Sequence, residues 1–136
     1  MNGELVGCGK TADRLEQSLA IGSDVVPDRV ALGFGGLEAE PGDHICGVFS
    51  GEMERDQVLI PFLQAGLASG DKCICVVDGT APGEIVAALG PTGEAAALTT
   101  SKQLEVIGAS DLYLRSGRFS ADEVIGSWKA AISAVM

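Results

Sequence analysis

Lys72-Cys73-Ile74-Cys75-Val76-Val77-Asp78 is the stretch that most narrows the choice of fold. Its interior is apolar without a break, so no alternation leaves a polar face for solvent. Read as a strand, it is covered on both sides, and such a strand calls for helices packed against a sheet. The preceding residues supply one. Over residues 52–69, Leu59, Phe62, Leu63, Gly66 and Leu67 fall at helical spacing, with acids near the start and Gly70 as the stop. Pro61 sits inside this helix and predicts a kink or a late start. Further upstream, His44-Ile45-Cys46-Gly47-Val48-Phe49 reads as a short strand and completes a strand-helix-strand unit.

A second helix is expected over residues 81–89, with Thr80 as its cap, Pro82 in the first turn and Gly90 past the end. Residues 103–107 read as a third strand. Ser120-Ala121-Asp122-Glu123 forms a capping box ahead of Val124, Ile125, Trp128, Ala131, Ile132 and Val135 at helical spacing. Alternating strands and helices predict an α/β domain with a mainly parallel sheet, flanking helices and right-handed crossovers. Three strands make a small sheet with little for the last apolar stripe to cover, which is the expectation for a truncated or split domain. Residues 1–31 read as a leader or connector with one short helix over 11–20, and residues 32–136 as the folded unit.

The chain has 136 residues, 46% of them apolar, enough for one compact core. Nine basic against nineteen acidic residues leave a net charge of −10 with no basic stripe, which argues against direct nucleic-acid binding. The longest apolar runs, such as Val58-Leu59-Ile60-Pro61-Phe62-Leu63, stop far short of the roughly 20 residues of a membrane span. With no secretory signal and four irregularly spaced cysteines, the sequence reads as a reduced, cytoplasmic protein.

Gly7-Cys8-Gly9-Lys10-Thr11 ends like a phosphate-binding loop, but Glu4 stands where the motif needs its first glycine. His44 and Cys46 form His-x-Cys, and Cys73 and Cys75 form Cys-x-Cys; residues two apart on a strand share a face, so a metal or thiol site is one reading. Plain packing is the other, because cysteine is a small apolar residue and Cys-x-Cys is not zinc-knuckle spacing. In parallel sheets the loops beyond the carboxyl ends of strands line the ligand crevice. Those loops are Ser50-Gly51-Glu52-Met53-Glu54-Arg55-Asp56 and Asp78-Gly79-Thr80, so His44, Cys46, Ser50, Glu52, Arg55 and Asp78 are the candidate ligand contacts. The same acids also complement a helix dipole, with Arg55 as their solvated partner. Lys72 beside Asp71 reads as a solvated turn, while Tyr113, Arg115, Arg118 and Phe119 either cap a pocket or pack a loop on the core. One histidine starves triad and multi-histidine metal chemistry. The expectation is a binding module, not an enzyme, without catalytic residues or a cofactor.

Leu32-Gly33-Phe34-Gly35-Gly36, Gly42-Asp43-His44-Ile45-Cys46, Glu54-Arg55-Asp56, Pro61-Phe62-Leu63, Ala65-Gly66-Leu67, Gly70-Asp71-Lys72-Cys73, Val76 and Asp78 together resemble the MEDS family, the methanogen/methylotroph sensory domain of DcmR-type regulators. Weaker agreement continues through Gln103-Leu104-Glu105-Val106, Tyr113-Leu114-Arg115 and Phe119. The resemblance implies a cytosolic signal-transduction domain for small hydrocarbon derivatives, found beside DNA-binding, histidine-kinase, anti-sigma or STAS-type modules. It implies a small organic ligand, with a regulatory partner protein or self-association. Residues 1–31 are too short and acidic for a helix-turn-helix reader, so the chain is expected to sense but not to read DNA. The family pattern also runs on past the last helix into a further strand with a Gly-Glu-Met segment that is absent here. Its opening is similar to RecA-like ATPases, yet residues 50–56 hold no Gly-Lys-Ser/Thr. The expected architecture is thus a partial RecA-like three-layer sandwich without a phosphate loop. The alternatives are a metal or thiol redox sensor built from His44, Cys46, Cys73 and Cys75, and a degenerate nucleotide-binding or protein-interaction module.

Overall fold

A computed structural model describes residues 5–9 and 29–134. The apolar run forms β4 (Lys72–Val77), the centre of a three-stranded sheet. On one side β5 (Leu104–Gly108) pairs with it in parallel, from Cys73 opposite Leu104 to Val77 opposite Gly108. On the other side β1 (Leu5–Gly9) pairs antiparallel, from Leu5 opposite Val76 to Gly9 opposite Lys72. A separate antiparallel pair joins β2 (Val30–Ala31) to β3 (Glu38–Ala39). The helices are α1 (Glu52–Ala68), α2 (Pro82–Ala88), α3 (Thr92–Thr100), α4 (Ala109–Tyr113) and α5 (Ala121–Ser133).

Strand alternation sorts the side chains of β4 onto two faces. Cys73, Cys75 and Val77 join Leu59 and Leu63 of α1, Ile85 of α2 and Leu104 of β5 in one buried cluster. Ile74 and Val76 turn to the opposite face and are buried there as well. Burying each large aliphatic side chain contributes about 1.5–3 kcal/mol, which makes β4 the anchor of the fold. Helix α1 runs through Pro61 as one element. The hairpin of β2 and β3 lies close against it at Gly33, whose φ of 82° suits glycine and where a Cβ would collide with the Pro61 carbonyl oxygen. At α5, the Ser120 hydroxyl accepts from the Glu123 amide at 3.5 Å, but the Glu123 carboxylate accepts from Ser116 Oγ at 2.9 Å, so half of the capping box forms.

The expected mainly parallel, RecA-like sheet is not what forms. Residues 44–49 make no ladder and lie exposed, so the strand-helix-strand unit lacks its first strand. The free edge of β4 is filled instead by Leu5–Gly9, which runs antiparallel and leaves a mixed sheet of one parallel and one antiparallel pairing. Helix also outweighs strand among the described residues, because the alanine-rich stretch forms α3 and the chain after β5 turns at once into α4, neither expected from periodicity. The helix expected over residues 11–20 and the last stripe residue, Val135, lie outside the described residues.

Candidate functional site

Helix α1 begins beside the carboxyl end of β4, and polar side chains tie the two together. Gly51 is the extended N-cap of α1 and offers no side chain, so the first turn is held by its own acids. Ser50 donates to Glu54 Oε2 from its amide at 2.8 Å and from its hydroxyl at 2.5 Å. These donors, the hydroxyl first and the amide second, hold the Glu54 carboxyl below its usual value of 4.5. Arg55 is the buried charge of the edge, 7% exposed. Its Nε donates to Asp56 Oδ1 at 2.8 Å, and its Nη1 donates to Thr80 Oγ1 at 3.0 Å. Thr80 in turn donates to Glu52 Oε1 at 3.2 Å. Glu52, Thr80, Arg55 and Asp56 are therefore one connected network spanning the start of α1 and the loop after β4.

Thr80 is thereby corrected from helix cap to bridge. Ala81 is the N-cap of α2, and it has no side-chain acceptor to offer. Gly79 allows the turn that aims Thr80 at α1, with φ of 74°. Nothing in the sequence distinguishes this threonine, since a Thr before Ala-Pro reads as a cap on local grounds alone. Asp78 stands exposed two residues earlier in the same loop.

Of the six candidate contacts, Ser50, Glu52 and Arg55 come together at this edge, and Asp78 lies on the adjoining loop. His44 and Cys46 are exposed on the segment that leads into it and take no part in the network. Cys73 and Cys75 lie in the core, with the Cys73 thiol 3.9 Å from the Leu63 carbonyl, while Cys46 is exposed. Among the described residues no group of three or more His, Cys, Asp or Glu side chains is placed to hold a metal ion.

The opposite end of β4 is closed by different means. Gln103 Nε2 donates to the carbonyls of Leu67 at 3.0 Å and Asp71 at 3.3 Å, pinning the end of α1 to the sheet. Lys72 is no solvated turn residue but opens β4 and pairs with Glu105 of β5 at 2.7 Å, its side chain 12% exposed. In α4, which follows β5 directly at the carboxyl end of the sheet, Tyr113 is half-buried, and its hydroxyl is sealed from solvent without a hydrogen-bond partner; burial pushes its pKa up. Arg115, Arg118 and Phe119 remain exposed.

No helix among the described residues is long and apolar enough to cross a membrane. Comparison with curated proteins and with solved structures gave no match. Residues 43–136, which include α1, β4, β5 and the whole polar network, match the family model described as MEDS: MEthanogen/methylotroph, DcmR Sensory domain. That family is a sensory one and not a family of enzymes, and this chain belongs to it.

Proposed function

We propose that the chain is a cytosolic sensor whose ligand is a small organic molecule, a hydrocarbon derivative, held at the edge formed by Ser50, Glu52, Arg55 and Asp78. His44 and Cys46 contribute from the segment leading into that edge. The observation that carries this reading is the Glu52-Thr80-Arg55 network, which couples the loop after β4 to the first turn of α1 at the carboxyl end of a parallel strand pair. A ligand that gripped both loops would favour one arrangement of them, and a partner protein or a second copy would read the shift. The charge of −10 fits a protein partner better than nucleic acid, so an effect on transcription would pass through that partner.

The test is thermal melting of the purified chain with small halogenated and one-carbon organics, Mg-ATP, zinc and a chelator added separately. A binder at about a hundred times its Kd adds roughly 2.7 kcal/mol to the native state and raises the midpoint visibly. One organic class is expected to do so, with the rise diminished in His44→Ala and Glu52→Ala. A full response in both folded variants would sink the site assignment, and a rise with zinc or Mg-ATP alone would sink the ligand class.

A further inference from the structure

We propose that residues 44–49 and Leu5–Gly9 are alternative occupants of one edge of β4, so that the domain carries a strand exchange at the entrance to its candidate site. Residues 44–49 have the composition of a strand, yet in the structure they are left unpaired. Ile45 is 61% exposed and Val48 84% exposed, with Cys46 exposed between them. The Phe49 ring folds back until a Cβ on Gly47 would run into it, which shelters part of the ring at the expense of any ladder. A six-residue segment of this kind gains both apolar burial and backbone hydrogen bonds by pairing.

The place it fits is set by the chain itself. Glu52 at the start of α1 touches Thr80, three residues beyond the last residue of β4, so the chain enters α1 at the carboxyl end of that strand. Only Ser50 and Gly51 separate Phe49 from α1. A strand formed by residues 44–49 must therefore end at the carboxyl end of β4, and parallel pairing is the polarity that does this. Short connections of this kind are the ordinary link from strand to helix. The run also equals β4 in length, six residues against six. With β5 on one side of β4, the remaining edge is the one that β1 holds.

The present occupant is a weak competitor. Two of the five residues in β1, Gly7 and Gly9, are glycines, which lose the most freedom on entering a strand and bring no side chain to pack. Exchange would release Leu5–Gly9, bury Ile45 or Val48, and move Ser50, whose amide and hydroxyl hold Glu54. A ligand or partner that gripped the first turn of α1 would thereby bias the choice of strand. The exchange does not rest on the ligand reading, because it follows from the two segments and the one edge.

Residue-resolved amide hydrogen exchange on the full chain tests it. The double variant Val6→Pro/Gly7→Pro removes two adjacent amides, one of which faces β4 whichever way the strand alternates. The amides of residues 45–49 are then expected to exchange about tenfold more slowly than in the wild type, with β4 and β5 still protected and Cys46 modified more slowly by a thiol reagent. Adding Val48→Pro should abolish the gain. Wild-type exchange at residues 45–49 with β4 and β5 protected would overturn the proposal, as would a gain that survives Val48→Pro. If the double variant loses its helical circular dichroism, the milder Val6→Ser decides. About threefold slower modification of Cys46 is expected there; an unchanged rate would overturn the exchange.

Discussion

Residues 44–49 and β4 are both six residues long and both rich in apolar and β-branched side chains, yet one lies open and the other is the centre of the core. Val48 is 84% exposed while Cys75 is fully buried. The difference lies in their neighbours. β4 has a strand on each side, so every backbone group in it has a ladder within reach, and α1 and α2 close over one face. Residues 44–49 are followed by the same α1 but have no strand beside them. An apolar run becomes a strand when its backbone finds partners, and composition decides only how much is gained when it does.

The sharpest way to break that contrast is to truncate one side chain in each setting. Leu63 of α1 is fully buried against β4, so Leu63→Ala removes packed methyl groups and leaves a cavity, at a cost of about 2–5 kcal/mol. Val48→Ala touches an exposed side chain and is expected to stay within about 0.5 kcal/mol of the wild type. Chemical denaturation of both variants measures the pair, and comparable losses would show residues 44–49 to be packed in solution.

Between the two ends of β4 the contrast is one of polar chemistry, and Thr80→Val probes it. The substitution keeps the shape but removes the acceptor for Arg55 Nη1 and the donor to Glu52. About 0.5–1.5 kcal/mol should be lost, more than for an exposed pair because Arg55 is buried. Equal stability of Thr80→Val and wild type would mean that the network does not hold α1 to the loop.

Much of this was legible from residues alone, and the failures share a cause. The period of Leu59, Phe62, Leu63, Gly66 and Leu67 marks α1, the unbroken run marks β4, and Ser120 marks the start of α5, because each is written in local spacing. The identity of the strand beside β4 is not local: it depends on whether Gly7-Cys8-Gly9 or Cys46-Gly47-Val48 reaches that edge, and no periodicity ranks the two. Helix α3 was missed because a run of small residues between Thr92 and Thr100 carries little apolar pattern. Of the candidate site, Ser50, Glu52 and Arg55 are singled out by their position after an expected strand; the structure places them at one edge, although that strand does not form. Thr80 was misread because its role depends on an arginine 25 positions away.

A further test concerns Tyr113, the last residue of α4, whose hydroxyl is buried and unpartnered. Removing it should relieve a desolvation cost, so Tyr113→Phe is expected to gain up to about 1 kcal/mol. A loss of stability on thermal or chemical melting would show that the hydroxyl has a partner in solution.

The smallest effect expected is at the exposed start of α1, where Glu54 answers to Ser50. Its folded pKa lies below the usual 4.5, because Ser50 donates hydroxyl and amide to the ionised carboxylate. A depressed carboxyl contributes stability that is present above the unfolded pKa and is lost as pH falls through the folded pKa. The affected window is therefore acidic, at and below 4.5. Ser50→Ala removes the larger of the two causes and keeps the amide, so the Glu54 titration followed by carboxyl NMR should move up toward the usual value without reaching it. The same titration in Thr80→Val should not move, since Thr80 touches Glu52 and not Glu54. A Glu54 midpoint unmoved by Ser50→Ala would mean that the cap is not made in solution. A midpoint moved by Thr80→Val would mean that the turn at Ser50 and the bridge at Thr80 form one unit, which ties the exposed segment to the core more closely than their burial suggests.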